Sequence, residues 1–171
     1  FHTAGCGILT LGSIQCGCRM ILAKLFDPPR MLAIIESERV GFMFGVPTML
    51  VGLLEAQAAN PRDVSSIRMA GSGGSMVPPE LVRRVRSTFG CGFETVYGQT
   101  ETSPLLTQSN IDDAFDDLCN TAGQPMPQTE ISIREPASNR VVPVDTVGEI
   151  CARGYCLVLE YNDNPAATAA T

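Results

Sequence analysis

Between Asp27 and Tyr97 the sequence passes three times from proline-opened helical periodicity to a compact apolar run, and few folds accommodate that rhythm. Asp27-Pro28-Pro29 makes a helix start, because a proline in the first turn gives up only an N–H that has no partner there. Met31, Leu32, Ile34 and Ile35 give that helix an apolar side, and Val40 to Phe44 follows as a run of strand length. Pro47 opens a second helix, with Val46, Leu50, Leu53 and Leu54 at helical spacing and Asn60-Pro61 closing it. Ile67 to Ala70 reads as a buried strand ending in glycines. Pro78-Pro79 starts a third helix, where Leu81, Val82, Val85 and Phe89 face inward and Arg83, Arg84 and Arg86 face out. Phe93 to Tyr97 is the next strand. Strands separated by crossover helices predict an α/β fold, a mostly parallel sheet flanked by helices. Ligands of such sheets bind beyond the C-terminal ends of the strands. The loops from Gly71 to Met76 and from Gly98 to Ser103 both follow strands, so they are expected side by side at one edge.

After about Asn110 the character changes. Ile131-Ser132-Ile133 alternates, Val141-Val142 is β-prone, and Gly148 to Ala152 is another strand candidate. Two parts are therefore expected: an α/β subdomain over residues 1–120, and over 121–171 the start of a β-rich barrel module, incomplete in this chain. The Ala-Thr-rich end, Ala166 to Thr171, reads as a helix cut short.

Charge and cysteine usage exclude several classes. The net charge is −6 with no stripe of Lys or Arg, which leaves nucleic acid no phosphate-binding surface. Phe1 to Cys18 carries no formal charge, but it falls short of the roughly 20 apolar residues that cross a bilayer. Gly5, Gly7, Gly12 and Gln15 interrupt it, so a buried helix is expected there rather than a transmembrane segment or signal peptide. The 7 cysteines are scattered without a C-x-x-C, and His2 is the one histidine, which favours reduced thiols acting as small hydrophobes over a disulfide framework or zinc site. Reduced thiols point to the cytoplasm.

The strongest chemical signal is Tyr97-Gly98-Gln99-Thr100-Glu101. At a strand end, a Tyr ring offers a flat platform for a base, and Gly98 lets backbone approach a ligand. Thr100 offers a hydroxyl to a phosphate oxygen, and Glu101 offers a hard oxygen to Mg²⁺, which takes carboxylate and phosphate oxygens together. The set fits an ATP·Mg²⁺ site.

That pentapeptide resembles the Tyr-Gly-x-Thr-Glu hallmark of the adenylate-forming superfamily, which holds acyl-CoA synthetases, aryl-CoA ligases, firefly luciferase and peptide-synthetase adenylation domains. Phe1-His2 resembles the family's aromatic-His motif at the head of a pocket-lining helix. Ser66-Ile67-Arg68, followed by Gly73 to Pro78, resembles its glycine-rich loop beneath the adenine. Gly123-Gln124-Pro125 through Pro127 resembles the entry to its β-barrel, and Gly148-Glu149-Ile150-Cys151-Ala152-Arg153-Gly154 resembles its downstream G-E-[LI]-x-x-[RK]-G motif. The resemblance implies an internal piece of the large N-terminal domain of a fatty-acyl-CoA synthetase. Such an enzyme makes acyl-AMP from a carboxylic acid, here a medium- or long-chain fatty acid, and ATP with Mg²⁺, then passes the acyl group to CoA. By the same resemblance Tyr97 stacks on adenine, Gly73, Gly74 and Ser75 form the opposite wall, and Gly98 and Gln99 complete the nucleotide site. Thr100 binds the α-phosphate, Glu101 the metal, and His2 sits near the substrate carboxylate. Gly71, Gly98, Pro104 and Leu105 line the acyl pocket.

The sequence also departs from the pattern. Thr95 stands where relatives often carry an amide near adenine, and Glu160-Tyr161 stands where Gly-Tyr is usual. The family's phosphate loop, its ribose-binding T-G-D motif and its C-terminal domain with the catalytic Lys fall outside these residues, so the isolated piece is expected to be nearly inert. Peripheral membrane association of the complete enzyme is compatible with this reading. Two rivals stay open: an adenylation domain that loads a carrier protein, and a serine hydrolase using Ser72 in Ala70-Gly71-Ser72-Gly73-Gly74. The Asp112, Asp113, Asp116, Asp117 cluster reads as a solvated helix face rather than a Ca²⁺ loop.

Overall fold

The computed structural model describes residues 2–171, and Phe1 of the aromatic-His motif lies outside them. The chain begins with a π-helical stretch, Ala4–Leu11, that runs into a short α1 (Gly12–Gln15). Neither has a buried residue, and Leu11 and Ile14 are 54% and 69% exposed, which corrects the expectation of a buried helix. The helix carries no charged residue, and Gly7 lies close enough to the Pro104 ring that a Cβ there would stand 3.1 Å from its Cδ. Too few partners stand around it to cover the rest.

The three proline-opened helices form as expected. The Asp27 side chain accepts a hydrogen bond from the Arg30 amide at 2.9 Å and starts α2 (Pro28–Glu38). After β1 (Phe42–Phe44) comes α3 (Pro47–Ala59), capped C-terminally at Asn60. After β2 (Met69–Gly73) comes α4 (Pro79–Phe89), which ends in a left-handed Gly90. Leu81, Val82, Val85 and Phe89 of α4 are buried, the inward stripe read from the spacing. β3 (Gly92–Tyr97) follows.

β1, β2 and β3 pair in parallel and in sequence order, and right-handed crossovers in that order carry α3 and α4 to one face of the sheet. There Leu50, Leu54, Ala70, Val82, Val85 and Phe93 lie in one buried core. Two short strands unseen in the sequence, β4 (Thr107–Gln108) and β5 (Gln124–Pro125), extend the sheet antiparallel, so it is mixed beyond its parallel half. Two residues are too few to show a period of two, which is why neither strand was legible. α5 (Phe115–Asn120) lies between them, with Asp116 and Asp117 exposed in its first turn.

β6 (Thr129–Arg134) and β7 (Glu149–Gly154) make a separate antiparallel pair, extended by a bridge between Arg134 and Val141. No closed barrel forms among the described residues. α6 (Pro165–Ala170) is the expected terminal helix. Among the described residues no helix is long and apolar enough to cross a membrane. Cys91 and Cys156 are buried in the manner of small hydrophobes, whereas Cys6, Cys16 and Cys18 are exposed, against the expectation for all seven.

Candidate functional site

The parallel register pairs Gly73 with Val96, so the ends of β2 and β3 reach the same edge of the sheet, side by side. The run from Gly71 to Met76, expected as a loop, is corrected in its first half: Gly71, Ser72 and Gly73 are buried strand residues, and the exposed turn begins at Gly74. A Cβ on Gly71 would lie 2.7 Å from the Phe44 ring and 3.1 Å from Glu94 Oε1. A Cβ on Gly73 would lie 2.6 Å from the Val96 carbonyl oxygen. Both glycines are therefore demanded by packing within the sheet. Gly74 has φ +80°, which glycine adopts without a Cβ penalty, and it turns the exposed Ser75 out at the edge.

Tyr97 is half-buried, and its hydroxyl accepts a hydrogen bond from Gln99 Nε2 at 3.1 Å. Beyond it the chain winds one 3₁₀ turn, Thr100–Thr102. The Gln99 amide donates to Thr102 Oγ1 at 2.9 Å and holds that turn shut. Thr100 stands exposed on the turn, and Ser103 leaves it in the left-handed region at φ 54°. The chain then folds back so closely that a Cβ on Gly98 would sit 1.8 Å from the Pro104 carbonyl oxygen. The Leu106 amide donates to the Tyr97 carbonyl at 2.9 Å across the same junction. Pro104 and Leu105, both half-buried, thus form the back wall of the Tyr97–Gly98 strand end.

Glu101 is held from the far end of the chain. Its carboxylate Oε1 accepts from the Tyr161 hydroxyl at 2.8 Å, and its carbonyl accepts from the Val158 amide at 2.8 Å. The Tyr161 hydroxyl, and after it the backbone at Glu101, hold the carboxyl below its ordinary value, against the opposing effect of burial. Glu101 is therefore a carboxylate with one oxygen engaged. No cluster of three or more His, Cys, Asp or Glu forms a metal cage among the described residues. A single carboxylate suits Mg²⁺ that brings its remaining ligands as phosphate oxygens and water, so the donor set fits that ion.

A cavity of about 810 Å³ opens beside this turn, between Gln99, Glu101 and Thr102 on one side and Ser132, Arg134 and Tyr161 on the other. The sequence reading missed the second wall. The one sequence signal for it is Tyr161, in the Glu160-Tyr161 pair that stands where Gly-Tyr is usual.

The other expected residues lie apart from the turn. His2 is exposed just ahead of the first helix, and its Nδ1 accepts from the Ala4 amide at 3.1 Å; no hydrogen bond joins it to the Tyr97–Glu101 loop among the described residues. Thr95 sends its hydroxyl to the Leu118 carbonyl at 3.5 Å, on the helix-covered side. Ser72 is wholly buried within β2, and its Oγ has no hydrogen-bond partner among the described residues. A nucleophile elbow needs an exposed serine on a sharp strand-to-helix turn with a histidine in reach, so the hydrolase reading is corrected here. Glu94 is a half-buried carboxyl on the face opposite the helices, where it accepts from Gln108 Nε2 at 2.8 Å. Burial pushes its pKa up, more than the Gln108 bond lowers it.

The family model described as AMP-binding enzyme matches residues 1–162. The chain is 32% identical over 170 residues to the mitochondrial medium-chain acyl-CoA ligase ACSF2 of Macaca fascicularis, covering 98% of this chain and 28% of that protein. It is 35% identical over 176 residues to a feruloyl-CoA synthase of Amycolatopsis sp, covering 99% of this chain and 34% of that one. The crystal structure of the long-chain-fatty-acid-CoA ligase FadD1 from Archaeoglobus fulgidus superposes with a TM-score of 0.88 at 22% identity, over 98% of this chain and 35% of that one. At that identity the likeness speaks for the fold. In each case the chain spans about a third of the protein it matches.

Proposed function

The chain belongs to the AMP-binding enzyme family, and on that premise we propose that it carries part of the active site of an ATP-dependent acid–thiol ligase. The observation that supports this most is the edge where Gly73 and Tyr97 end adjacent strands, with Thr100 and Glu101 on the turn just beyond. In this reading adenine lies between the Tyr97 ring and the Gly73–Ser75 wall, and Gln99 steadies the Tyr97 hydroxyl from outside. The Thr100 hydroxyl binds the α-phosphate. Glu101 holds Mg²⁺, which when bound neutralises phosphate charge. The acid lies along Gly71, Gly98, Pro104 and Leu105, with His2 toward its carboxylate.

The first step joins a carboxylate oxygen to the α-phosphorus and releases pyrophosphate. In the second, the CoA thiol attacks the acyl carbonyl, AMP leaves with the bonding pair, and the thiol proton passes to solvent. Residues 71–105 contribute position and charge neutralisation, the two main sources of rate in such a displacement. The division into 1–120 and 121–171, the fatty character of the acid and a cytoplasmic setting belong to the same proposal. So does the absence of any nucleic-acid partner.

The test is pyrophosphate exchange by the complete protein that carries this chain, across fatty and aromatic acids. Acid-dependent exchange is expected, falling about 10²-fold or more in Glu101→Gln while the melting temperature holds. Exchange indifferent to every acid, or unchanged in Glu101→Gln, would refute the reading.

A further inference from the structure

Tyr161 lies 60 residues beyond Glu101 in sequence, yet its hydroxyl donates to Glu101 Oε1 at 2.8 Å. Two residues of the same segment bracket the glutamate, because the Val158 amide also donates to the Glu101 carbonyl at 2.8 Å. Backbone and side chain of Glu101 are thus fixed by one returning strap, residues 158–161. Tyr161 is in turn fixed at its own backbone, where its amide donates to Thr168 Oγ1 at 2.9 Å. A glutamate side chain has three rotatable bonds, and an exposed one samples many positions. Here the Tyr161 hydroxyl pins one carboxylate oxygen, Oε1. Both residues line the same cavity.

We propose that Tyr161 is a positioning residue for the Glu101 carboxylate, fixing it for a divalent cation carried by a nucleotide triphosphate. The inference rests on the cation role given to Glu101 above. Tyr161 itself touches neither cation nor nucleotide; it sets the orientation of the group that does. The work is done by a hydroxyl, so phenylalanine should keep the ring packing and lose the function.

The experiment uses the complete protein and compares two affinities: for α,β-methylene-ATP with Mn²⁺, and for the same nucleotide without metal. Tyr161→Phe is expected to weaken binding of the metal complex about tenfold, the scale of one hydrogen bond to a charged group, and to leave the metal-free affinity within about twofold. Glu101→Gln should give the same pattern with at least the same loss. Adding Tyr161→Phe to Glu101→Gln should cost nothing further, because the two act through one contact. Tyr155→Phe, on an exposed ring, is the control for loss of a phenol. If Glu101→Gln loses metal-dependent binding and Tyr161→Phe does not, the positioning role is overturned and the cation assignment stands. Equal weakening of both affinities by Tyr161→Phe would also overturn it, as the mark of general damage. If neither variant affects metal-dependent binding, the cation assignment falls and this inference falls with it.

Discussion

Gly98→Ala is the sharpest perturbation of the site, because the obstacle to it is backbone. The added Cβ would lie 1.8 Å from the Pro104 carbonyl oxygen, 2.7 Å from its carbon and 3.0 Å from Leu105 Cα. Ordinary contact between such atoms begins near about 3.4 Å, so the two segments must part by roughly 1.5 Å. No side chain can swing aside to relieve this. The 2.9 Å bond from the Leu106 amide to the Tyr97 carbonyl crosses the same gap and would stretch beyond use. Overpacking and a lost backbone bond together cost about 2–4 kcal/mol. In a protein about three times this chain's length that corresponds to a fall in melting temperature of roughly 2–4 °C. The strand end carrying Tyr97 and Thr100 moves as well, and a displacement near 1 Å costs on the order of 10²-fold in rate. Pyrophosphate exchange and thermal melting read the two effects separately. Gly74 is the contrast: a Cβ there meets only Val46 Cγ1 at 3.6 Å, but φ is +80°. Its constraint is conformational, so Asn should serve better than Ala at 74, while at 98 Asn should be no better than Ala. A Gly98→Ala protein that melts within about 1 °C of the parent and exchanges pyrophosphate within about threefold would refute the close-approach argument.

Ser72→Ala removes a buried hydroxyl that has no partner among the described residues and is expected to stabilise by up to about 1 kcal/mol, with fluorophosphonate failing to label the parent protein. Destabilisation beyond about 1 kcal/mol in urea melts would show that the hydroxyl is satisfied after all. Glu94 gives a pH signature. Burial raises its folded pKa above the ordinary 4.5, so the folded protein holds this proton more tightly than the unfolded chain. Its contribution is full below about pH 4.5 and is lost as pH rises through the folded value. Glu94→Gln should keep a hydrogen bond with Gln108, flatten that slope, and raise the melting temperature at pH 7 more than at pH 4; an equal shift at both would refute the assignment.

What the sequence determined by itself was local. Proline placement and the inward stripe of Leu81, Val82, Val85 and Phe89 are set by short-range sterics and a period of 3.6, so the helices and the three parallel strands were legible. The strand-end chemistry at Tyr97–Glu101 was legible too, because five adjacent residues carry it. Tertiary structure alone decided the rest. β4 and β5 exist because Tyr97 and Thr107 meet in register, not because two residues have a pattern. Ser72 was shown to be no exposed nucleophile by its complete burial within β2. His2 precedes a helix none of whose residues is buried, although its sequence reads as buried. The hold of Tyr161 on Glu101 spans 60 residues, and no periodicity or motif spacing encodes a contact made by two separate segments meeting across a cavity.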